Sequence, residues 1–416
     1  MNPPPDDALR VLLATWGTTG DIAPYTGLAL GLRDAGHHVT VATSRRHAPR
    51  FAEHGLPVRS MPLDHQEELM ARHKPWRERL RNGQDIAGTA ARTLLEAADD
   101  GADVLLAHPL LHPLCAVIGD GLGLPCLGVY TVSHAMVLPR LMSALPWRQH
   151  LAADTAAKAL LHPMYAPALT RLAGSLGTPV RQATRVLRTL RERPVLYGIS
   201  DALLPPGFRL PAGHVTTGYW PAARPPGWQP DARLRDFLDS GPAPVSFGFG
   251  SMNRIDGEHL SRAIVSAARR LRVRAVVQSG WAGLHGEDAD DVLTIGECPH
   301  DWLFPRVRAA VHHAGPGTTH ASLGAATLTL PVPVRVDQPY WASRLTALGA
   351  APAALPLRRL TADRLTRLLQ QSLHRSEYRL ATDRLATGIR GQDGIHGVVT
   401  RLRALGRQDG STRRFS

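Results

Sequence analysis

The stretch His312-His313-Ala314-Gly315-Pro316-Gly317-Thr318-Thr319 is the most informative part of this chain. The apolar run 309–311 before it predicts a buried strand, and apolar residues at Ala321, Leu323 and Ala325 predict a helix after it. A strand that turns through glycines into a helix leaves unpaired N–H groups at the positive end of the helix dipole. That arrangement favours an anion such as a diphosphate. Glycine-rich turns also serve plain packing, so the stretch alone leaves both interpretations open.

A second polar turn, Asp337-Gln338, follows the next apolar run, 328–336. A carboxylate accepts hydrogen bonds and an amide both donates and accepts them, so the pair is suited to holding sugar hydroxyls. One turn suited to phosphate and a neighbouring turn suited to a polyol together indicate a nucleotide-sugar.

The chain resembles the two-domain (GT-B) nucleotide-sugar glycosyltransferases of the family 1 and family 28 type. The pattern is similar to the vancomycin-type antibiotic glycosyltransferases and the sterol glucosyltransferases. Five further segments occur in the order that this family shows, and with the two turns they span most of the chain: Gly17–Ile22, Thr217–Trp220, Phe247–Met252, Gln278–Gly283 and Pro299–Phe304.

Length and composition limit the protein class. At 416 residues the chain is too long for one ordinary core, and 44% hydrophobic with 20% charged residues is typical of a soluble globular protein. No apolar run reaches the ~20 residues of a membrane span. The first seven residues lack the features of a signal peptide, and the three scattered cysteines fit a reducing compartment. We therefore expect a cytoplasmic protein.

The net charge of +13 raises the question of anionic partners. The arginines are dispersed and no basic run is interleaved with aromatic residues, so we expect no nucleic-acid partner. Arg181, Arg185 and Arg188 form the densest basic face of a predicted helix. A solvated helix face is the preferred interpretation, and a weak contact with a membrane surface is the alternative.

Alternating strand and helix patterns run through both halves of the chain, which predicts an α/β fold with two facing, doubly wound, Rossmann-like domains and an interdomain cleft. Strands are predicted over 10–15, 38–43, 104–106, 126–132 and 195–199 in the first half, and over 245–250, 275–278, 292–295, 309–313 and 328–334 in the second. The first helix is predicted over Pro24–Ala35. The resemblance implies an acceptor-binding domain first, a donor-binding domain second, and a last helix that crosses back to the first domain. The expected boundaries are 1–219 for the first domain, 220–231 for the proline-rich linker, 232–389 for the second domain and 390–416 for the last helix.

Asp21 is the candidate catalytic base, because the resemblance matches it to the carboxylate that deprotonates the acceptor hydroxyl. The alternative is a helix cap, since an Asp just before a helix is favoured there without any catalysis. Many relatives carry a histidine two positions earlier, where this chain has Thr19, so no His–Asp pair forms in this loop. His108, at another strand end, is the second candidate base.

The resemblance also implies contacts with the donor, with Asp337 and Gln338 on the sugar. His312 is expected to be structural, because neighbours on a strand face opposite ways. Residues matched to the diphosphate site are Thr18, Ser251, His313, Gly315, Gly317 and Thr318. Residues matched to the nucleoside site are Trp281, Cys298 and Pro299, although packing is the alternative for Trp281.

No metal site is predicted, because Asp288-Ala-Asp290 lies in an acidic turn, and no cofactor is expected beyond a UDP- or dTDP-sugar co-substrate. Ala321 replaces a ribose-binding glutamate of plant relatives, which permits a deoxyribose. The acceptor walls are expected in 60–100 and 133–170, with His134, Met136 and Trp147 as acceptor-binding candidates.

The predicted function is inverting sugar transfer to a hydroxyl of an apolar natural-product aglycone by a monomer or homodimer. The alternatives are a sterol or lipid glycosyltransferase at a membrane surface and a catalytically idle auxiliary homologue.

Overall fold

The protein folds around two parallel β-sheets with helices on both faces. The computed structural model describes residues 7–63, 75–132, 150–250, 256–280, 283–284, 289–334 and 337–413, without the side chains of 150–161 and 406–413. The first sheet has seven strands in the order 3-2-1-4-5-6-7, and the second has five in the order 10-9-8-11-12. The predicted fold class is confirmed, because each sheet is doubly wound about its first strand.

The first sheet and its helices occupy the first half of the chain. Its strands are β1 (Arg10–Ala14), β2 (His38–Ser44), β3 (Val58–Met61), β4 (Val104–Ala107), β5 (Cys126–Tyr130), β6 (Val195–Tyr197) and β7 (His214–Thr216). Its helices are α1 (Thr19–Asp34), α2 (Ala48–Ala52), α3 (Trp76–Asp99), α4 (His112–Leu122), α5 (His150–Ser175) and α6 (Val180–Thr189).

The second sheet and the remaining helices occupy the second half. Its strands are β8 (Val245–Gly248), β9 (Ala275–Gln278), β10 (Val292–Ile295), β11 (Ala309–His312) and β12 (Leu328–Pro331). The helices are α7 (Ala232–Asp239), α8 (Gly257–Leu271), α9 (His300–Leu303), α10 (Pro316–Gly324), α11 (Gln338–Ala347), α12 (Ala362–His374), α13 (Ser376–Arg390) and α14 (Gly394–Arg413).

The start of α1 corrects the sequence prediction. The helix begins at Thr19 and not at Pro24, so Pro24 lies inside it. Thr18 takes the N-cap position and Asp21 lies in the first turn, where a carboxylate is favoured by the helix dipole. The expected N-terminal proline therefore occupies the second turn, where its missing N–H removes one helical hydrogen bond.

Two strands of the first sheet were not predicted. The edge strand β3 contains the exposed Arg59 and Ser60, so it lacks the continuous apolar run of a central strand. Strand β7 has only three residues, His214–Thr216, which is too short for any period to show. The Arg181, Arg185 and Arg188 face of α6 is exposed, while Ala183, Val186 and Leu187 on the other side are buried.

The last helix, α14, lies against α1 of the first domain. Val398, Val399 and Leu402 pack in one buried cluster with Ile22 and Leu28. The helices come this close because α1 has glycines on the facing side. A Cβ atom on Gly31 would lie 2.2 Å from Cγ2 of Ile395, and one on Gly27 would lie 1.9 Å from the carbonyl oxygen of Pro221.

The connection between the two sheets is anchored at several points. Trp220 is fully buried, and its indole N–H donates to Thr217 Oγ1 at 2.9 Å and to the Gly394 carbonyl at 3.1 Å. The Ala223 N–H donates to Thr26 Oγ1 at 2.9 Å. The segment after Thr216 is thus fixed to both α1 and the start of α14, while the exact domain boundaries stay a prediction.

A buried cluster joins the two domains directly. It contains Tyr130 and Tyr197 from the first sheet and Leu323 and Trp341 from helices of the second domain. Hydrogen bonds cross the same interface. The Ser200 N–H donates to His320 Nε2 at 3.1 Å, and Arg344 donates to the Leu203 carbonyl at 3.0 Å. The relative position of the sheets is therefore set by packed side chains as well as by the chain connection.

The contact between α1 and α14 predicts opposite results for two helix glycines. Alanine is favoured over glycine inside a helix by about 0.5–1 kcal/mol, so Gly174→Ala, where no atom lies within 4 Å of the new Cβ, should leave stability unchanged or raise it. Gly31→Ala should instead lower the free energy of unfolding by about 1–3 kcal/mol, because its Cβ overlaps Ile395. Thermal unfolding of both variants checks this, and equal behaviour would contradict the close contact.

Candidate functional site

Asp21 lies at the amino end of α1 and is held by Thr18. The Thr18 backbone N–H donates to Asp21 Oδ2 at 2.7 Å, and the Thr18 hydroxyl donates to the same oxygen at 2.8 Å. Thr18 is the N-cap, and Asp21 bonds back to it from the third helical position, so Asp21 has a capping role but is not the N-cap of the alternative interpretation. A cap also fixes the side chain at a strand end that faces the second domain, so capping does not remove it from the site.

The loop before α1 is shaped to bring Asp21 close to the backbone. A Cβ atom on Gly17 would lie 2.4 Å from the Cβ of Asp21, so only glycine fits there. His47, from the segment after β2, hydrogen-bonds the Gly17 backbone. Burial and the nearby Arg50 and Arg46 lower the pKa of His47 to about 4, so it supports the loop as a neutral imidazole. Sequence reasoning missed His47; its position after a strand end was the available signal.

The glycine-rich turn after β11 has the geometry of an anion-binding helix start. The chain passes through a left-handed conformation at the buried Ala314, with φ of 62°, and Gly315 is the N-cap of α10. A left-handed non-glycine residue costs free energy and is typical of functional turns. Helix α10 starts next to α1, since a Cβ on Gly317 would lie 3.9 Å from Pro24 Cγ. The partial positive charges of two helix N-termini therefore lie close together.

His313 lies between the two glycine-rich loops of the second domain. A Cβ on Gly315 would be 2.5 Å from its Nε2, and one on Gly250 would be 3.0 Å from its Cε1. Burial and the neighbouring His300 lower the pKa of His313 to about 4, so the ring is neutral at pH 7. Its buried Nδ1 has no hydrogen-bond partner among the described residues. A neutral imidazole there can donate one hydrogen bond to an anion without adding charge.

Asp337 and Gln338 form the start of α11. Gln338 Oε1 accepts from the Val334 N–H at 2.9 Å, and Asp337 Oδ2 accepts from the Trp341 indole N–H at 3.1 Å. Asp337 is buried, and burial together with the charge of Asp21 raises its pKa to about 7. Burial is the larger cause of this shift, and the charge of Asp21 from the first domain adds to it. Sequence reasoning missed Trp341, although its spacing of four from Asp337 on a helix gave the signal.

The predicted nucleoside loop lies beside β10. Cys298 is buried, and burial raises the pKa of its thiol to about 12, which makes it unreactive. Pro299 is the N-cap of α9, and the loop is tied to the first domain by an ion pair of 2.7 Å between Glu297 and Arg50. Several predicted site residues fall outside the described residues: Ser251, Trp281, His134, Met136 and Trp147.

Two other histidines have structural roles. His108 Nδ1 accepts from the Leu110 N–H at 3.2 Å, and the ring packs edge-on against Tyr25. His312 is buried; its Nδ1 accepts from the Ala314 N–H at 3.0 Å and its Nε2 bonds Thr329 Oγ1 at 2.5 Å. The ring of His312 therefore holds the turn through Ala314, which agrees with the structural role predicted for it.

The part of the chain that the structure describes lacks two kinds of feature. No group of three His, Cys, Asp or Glu side chains that would suit a metal ion occurs there, and Asp288 lies outside that part. No helix of that part has the length and apolar character needed to cross a bilayer.

Two facing parallel α/β domains with a diphosphate-type helix start in the second define the GT-B class of fold. Comparison of the sequence with known protein domains gives the same class. Residues 11–102 match the glycosyltransferase family 28 N-terminal domain, and residues 282–405 match the C-terminal domain of erythromycin biosynthesis protein CIII-like proteins. The chain thus has the fold and both domain signatures of the GT-B glycosyltransferases.

Individual relatives fall into two groups. A sterol 3-beta-glucosyltransferase of Candida albicans is 29% identical over 96% of this chain, which spans only 28% of the length of that relative. The glycosyltransferase of kitacinnamycin superposes with a TM-score of 0.71 at 19% identity, covering 96% of this chain and 98% of the other. The glycosyltransferase VinC, solved in complex with dTDP, gives 0.70 at 19% identity, covering 96% and 100%.

The raised pKa of Asp337 predicts a pH-dependent stability. The folded protein binds the proton of this carboxyl more tightly than the unfolded chain, whose pKa is near 3.8, so this contribution is complete at low pH and is lost as pH rises through about 7. Asp337→Asn keeps an acceptor for Trp341 and removes the titration. Between pH 5 and 7 the free energy of unfolding of the wild type should fall by up to about 1–3 kcal/mol more than that of the variant. Each pH unit between the two pKa values contributes ~1.4 kcal/mol.

Calorimetric unfolding of the two proteins across this pH range measures the difference. The exposed Asp239→Asn serves as the control and should follow the wild type. Parallel curves for wild type and Asp337→Asn would contradict a buried, protonated Asp337.

Proposed function

We propose that the protein transfers a sugar, with inversion, from a UDP- or dTDP-sugar to a hydroxyl of an apolar natural-product aglycone. The observation that carries this proposal is the meeting of two helix starts: Asp21 lies in the first turn of α1, and the glycine turn that begins α10 lies beside it, with a Cβ on Gly317 3.9 Å from Pro24 Cγ. A base on one side and a leaving-group site on the other is the arrangement that in-line displacement at a sugar carbon needs.

In the proposed reaction the Asp21 carboxylate takes the proton of the acceptor hydroxyl. The acceptor oxygen forms the new bond to the anomeric carbon while the bond from that carbon to the diphosphate oxygen breaks. The electron pair of the broken bond leaves with the nucleoside diphosphate. Attack from the face opposite the leaving group inverts the anomeric carbon. A carboxylate is a weak base, and it suffices when the proton leaves late, after the new bond has begun to form.

The departing diphosphate is assigned to the start of α10. Backbone N–H groups from Gly315 to Thr318, the neutral His313 and the dipoles of α10 and α1 supply the stabilisation. Thr18 and Ser251 add hydroxyl donors, Cys298, Pro299 and Trp281 are assigned to the nucleoside, and Asp337 and Gln338 to the sugar. No metal ion or further cofactor enters this scheme, and the dTDP held by VinC supports a nucleoside diphosphate as the donor part.

The acceptor is assigned to the first domain, with His134, Met136 and Trp147 on its walls. The match to an erythromycin-type C-terminal domain supports a natural-product acceptor. A sterol acceptor is the second candidate, favoured by the identity with the sterol 3-beta-glucosyltransferase of Candida albicans. The three free, buried cysteines support a reducing, cytoplasmic location.

Asp21→Asn should lower kcat by ~10²–10⁴ while folding and nucleotide affinity stay nearly unchanged. The amide oxygen of Asn still accepts from the Thr18 N–H, so the cap survives and only the base is lost. Steady-state kinetics, calorimetric dTDP binding and thermal unfolding separate the two roles. Near-full turnover of Asp21→Asn would assign Asp21 to capping alone. A large drop in the thermal stability of the variant would also favour the capping role over the role as base.

Two glycine variants provide a matched control for the position of Asp21. Gly17→Ala places a methyl group 2.4 Å from the Asp21 Cβ and should lower kcat, because it displaces the carboxylate. The nearest atom to a Cβ on Gly20 is Thr18 Oγ1 at 3.9 Å, so Gly20→Ala should retain activity.

His313→Ala should weaken UDP or dTDP binding by ~1.5–3 kcal/mol, as expected for losing a hydrogen bond to a charged group. Isothermal calorimetry measures it, with the exposed His374→Ala as the control. Unchanged nucleotide affinity in His313→Ala would remove this residue from the diphosphate site.

A further inference from the structure

The short helix α2 lies between the two loops that the proposed reaction assigns to the base and to the nucleoside. Its N-cap, His47, is buried and hydrogen-bonds the backbone of Gly17. Gly17 in turn touches Asp21, since a Cβ added to the glycine would lie 2.4 Å from the Asp21 Cβ. The start of α2 therefore supports the loop that carries the proposed base.

The same helix reaches the proposed nucleoside loop through an ion pair. Arg50 lies three residues after His47, so the two side chains are neighbours on α2. The Arg50 Nη2 group donates to both carboxylate oxygens of Glu297 at 2.7 Å. Glu297 directly precedes Cys298 and Pro299, which are assigned to the nucleoside. One short helix of the first domain therefore contacts both the loop of the proposed base and the loop of the proposed nucleoside site.

The nucleoside loop has a second anchor on the interdomain linker. The Arg224 Nε group donates to Asp301 Oδ2 at 2.7 Å. Asp301 lies in the first turn of α9, at the other end of the loop from Glu297. Because the two ends of the loop are held separately, loss of the Arg50 pair would break the link to α2 and leave the loop attached to the linker.

We propose that Arg50 is a positioning residue that transmits nucleotide binding to the proposed base. A bound nucleoside diphosphate fixes the loop with Glu297, the ion pair fixes α2, and His47 then fixes the loop of Gly17 and Asp21. This inference rests on the proposed function and adds a physical route between its two half-sites. The route consists of contiguous contacts, so each step can be broken by itself. The side chains of the pair are 33% and 71% exposed, and a pair this exposed is weak enough to open when the nucleotide leaves.

The test combines calorimetric binding of dTDP and UDP with amide hydrogen exchange, measured with and without the nucleotide that binds more tightly. In the wild type the nucleotide should slow exchange in residues 296–303 and also in residues 17–22. In Arg50→Ala it should slow exchange in 296–303 alone. The Kd of the variant should be higher by about 1.5- to 5-fold, the contribution of an exposed ion pair. Raising the salt concentration from about 0.05 to 0.5 M should reduce this difference, because salt screens exposed charges.

Further variants test the ion pair itself. Glu297→Ala should reproduce the changes of Arg50→Ala, and the double variant should add little to either, since both substitutions break the same contact. Exchanging the charges, with Arg50→Glu and Glu297→Arg in one protein, should restore the slowed exchange in residues 17–22. Arg262→Ala is the matched control and should behave as the wild type, because Arg262 pairs with Glu258 on its own exposed helix of the second domain.

Failure of this inference can be separated from failure of the proposed function. A wild type that binds neither dTDP nor UDP would overturn the proposed glycosyl transfer. Nucleotide binding that leaves exchange in residues 17–22 unchanged, or a slowing there that Arg50→Ala retains, would overturn the role of Arg50 alone. A lower Tm of Arg50→Ala with an unaltered response to the nucleotide would assign Arg50 to stability only. An effect of Arg50→Ala that Glu297→Ala does not share would overturn the ion pair as the link.

Discussion

The structure depends on the close packing around helix α1. Its first turn holds Asp21, its second turn touches the start of α10 through Pro24, and its far side carries both the interdomain connection and α14. Helix α1 can contact all these elements because it has glycines at the points of contact. A Cβ on Gly27 would overlap the Pro221 carbonyl oxygen, and one on Gly31 would overlap Ile395. The position of Asp21, the proposed base, is thereby coupled to the position of the second domain, since α1 carries Asp21 and contacts that domain.

Much of the fold could be predicted from local patterns, and the errors have physical causes. Central parallel strands such as β1 and β11 are buried on both faces, so they read as continuous apolar runs and were found. Edge strand β3 and the three-residue β7 lack such runs. The start of α1 was misplaced because proline favours a first helical position, whereas the contacts between Thr18 and Asp21 start the helix five residues earlier.

The candidate site was partly predictable for a similar reason. His313 and the Asp337-Gln338 pair lie in turns whose residue types alone predict phosphate and sugar binding, so no tertiary contact had to be known. The raised pKa of Asp337 and the support of Gly17 by His47 arise only when distant segments meet. No local pattern records which side chains a strand end will face across an interdomain space.

Charge in the site is distributed unusually for a protein with a net charge of +13. Two carboxylates, Asp21 and Asp337, are assigned to the proposed site, and His313 is neutral because burial lowers its pKa to about 4. Within the described residues, the groups proposed to neutralise a diphosphate are the helix dipoles and the backbone N–H groups of the turn. The added negative charge would favour the neutral form of Asp337 still further. A protonated Asp337 can donate one hydrogen bond and accept another, so in the proposed site its buried carboxyl would orient the sugar through two hydroxyls.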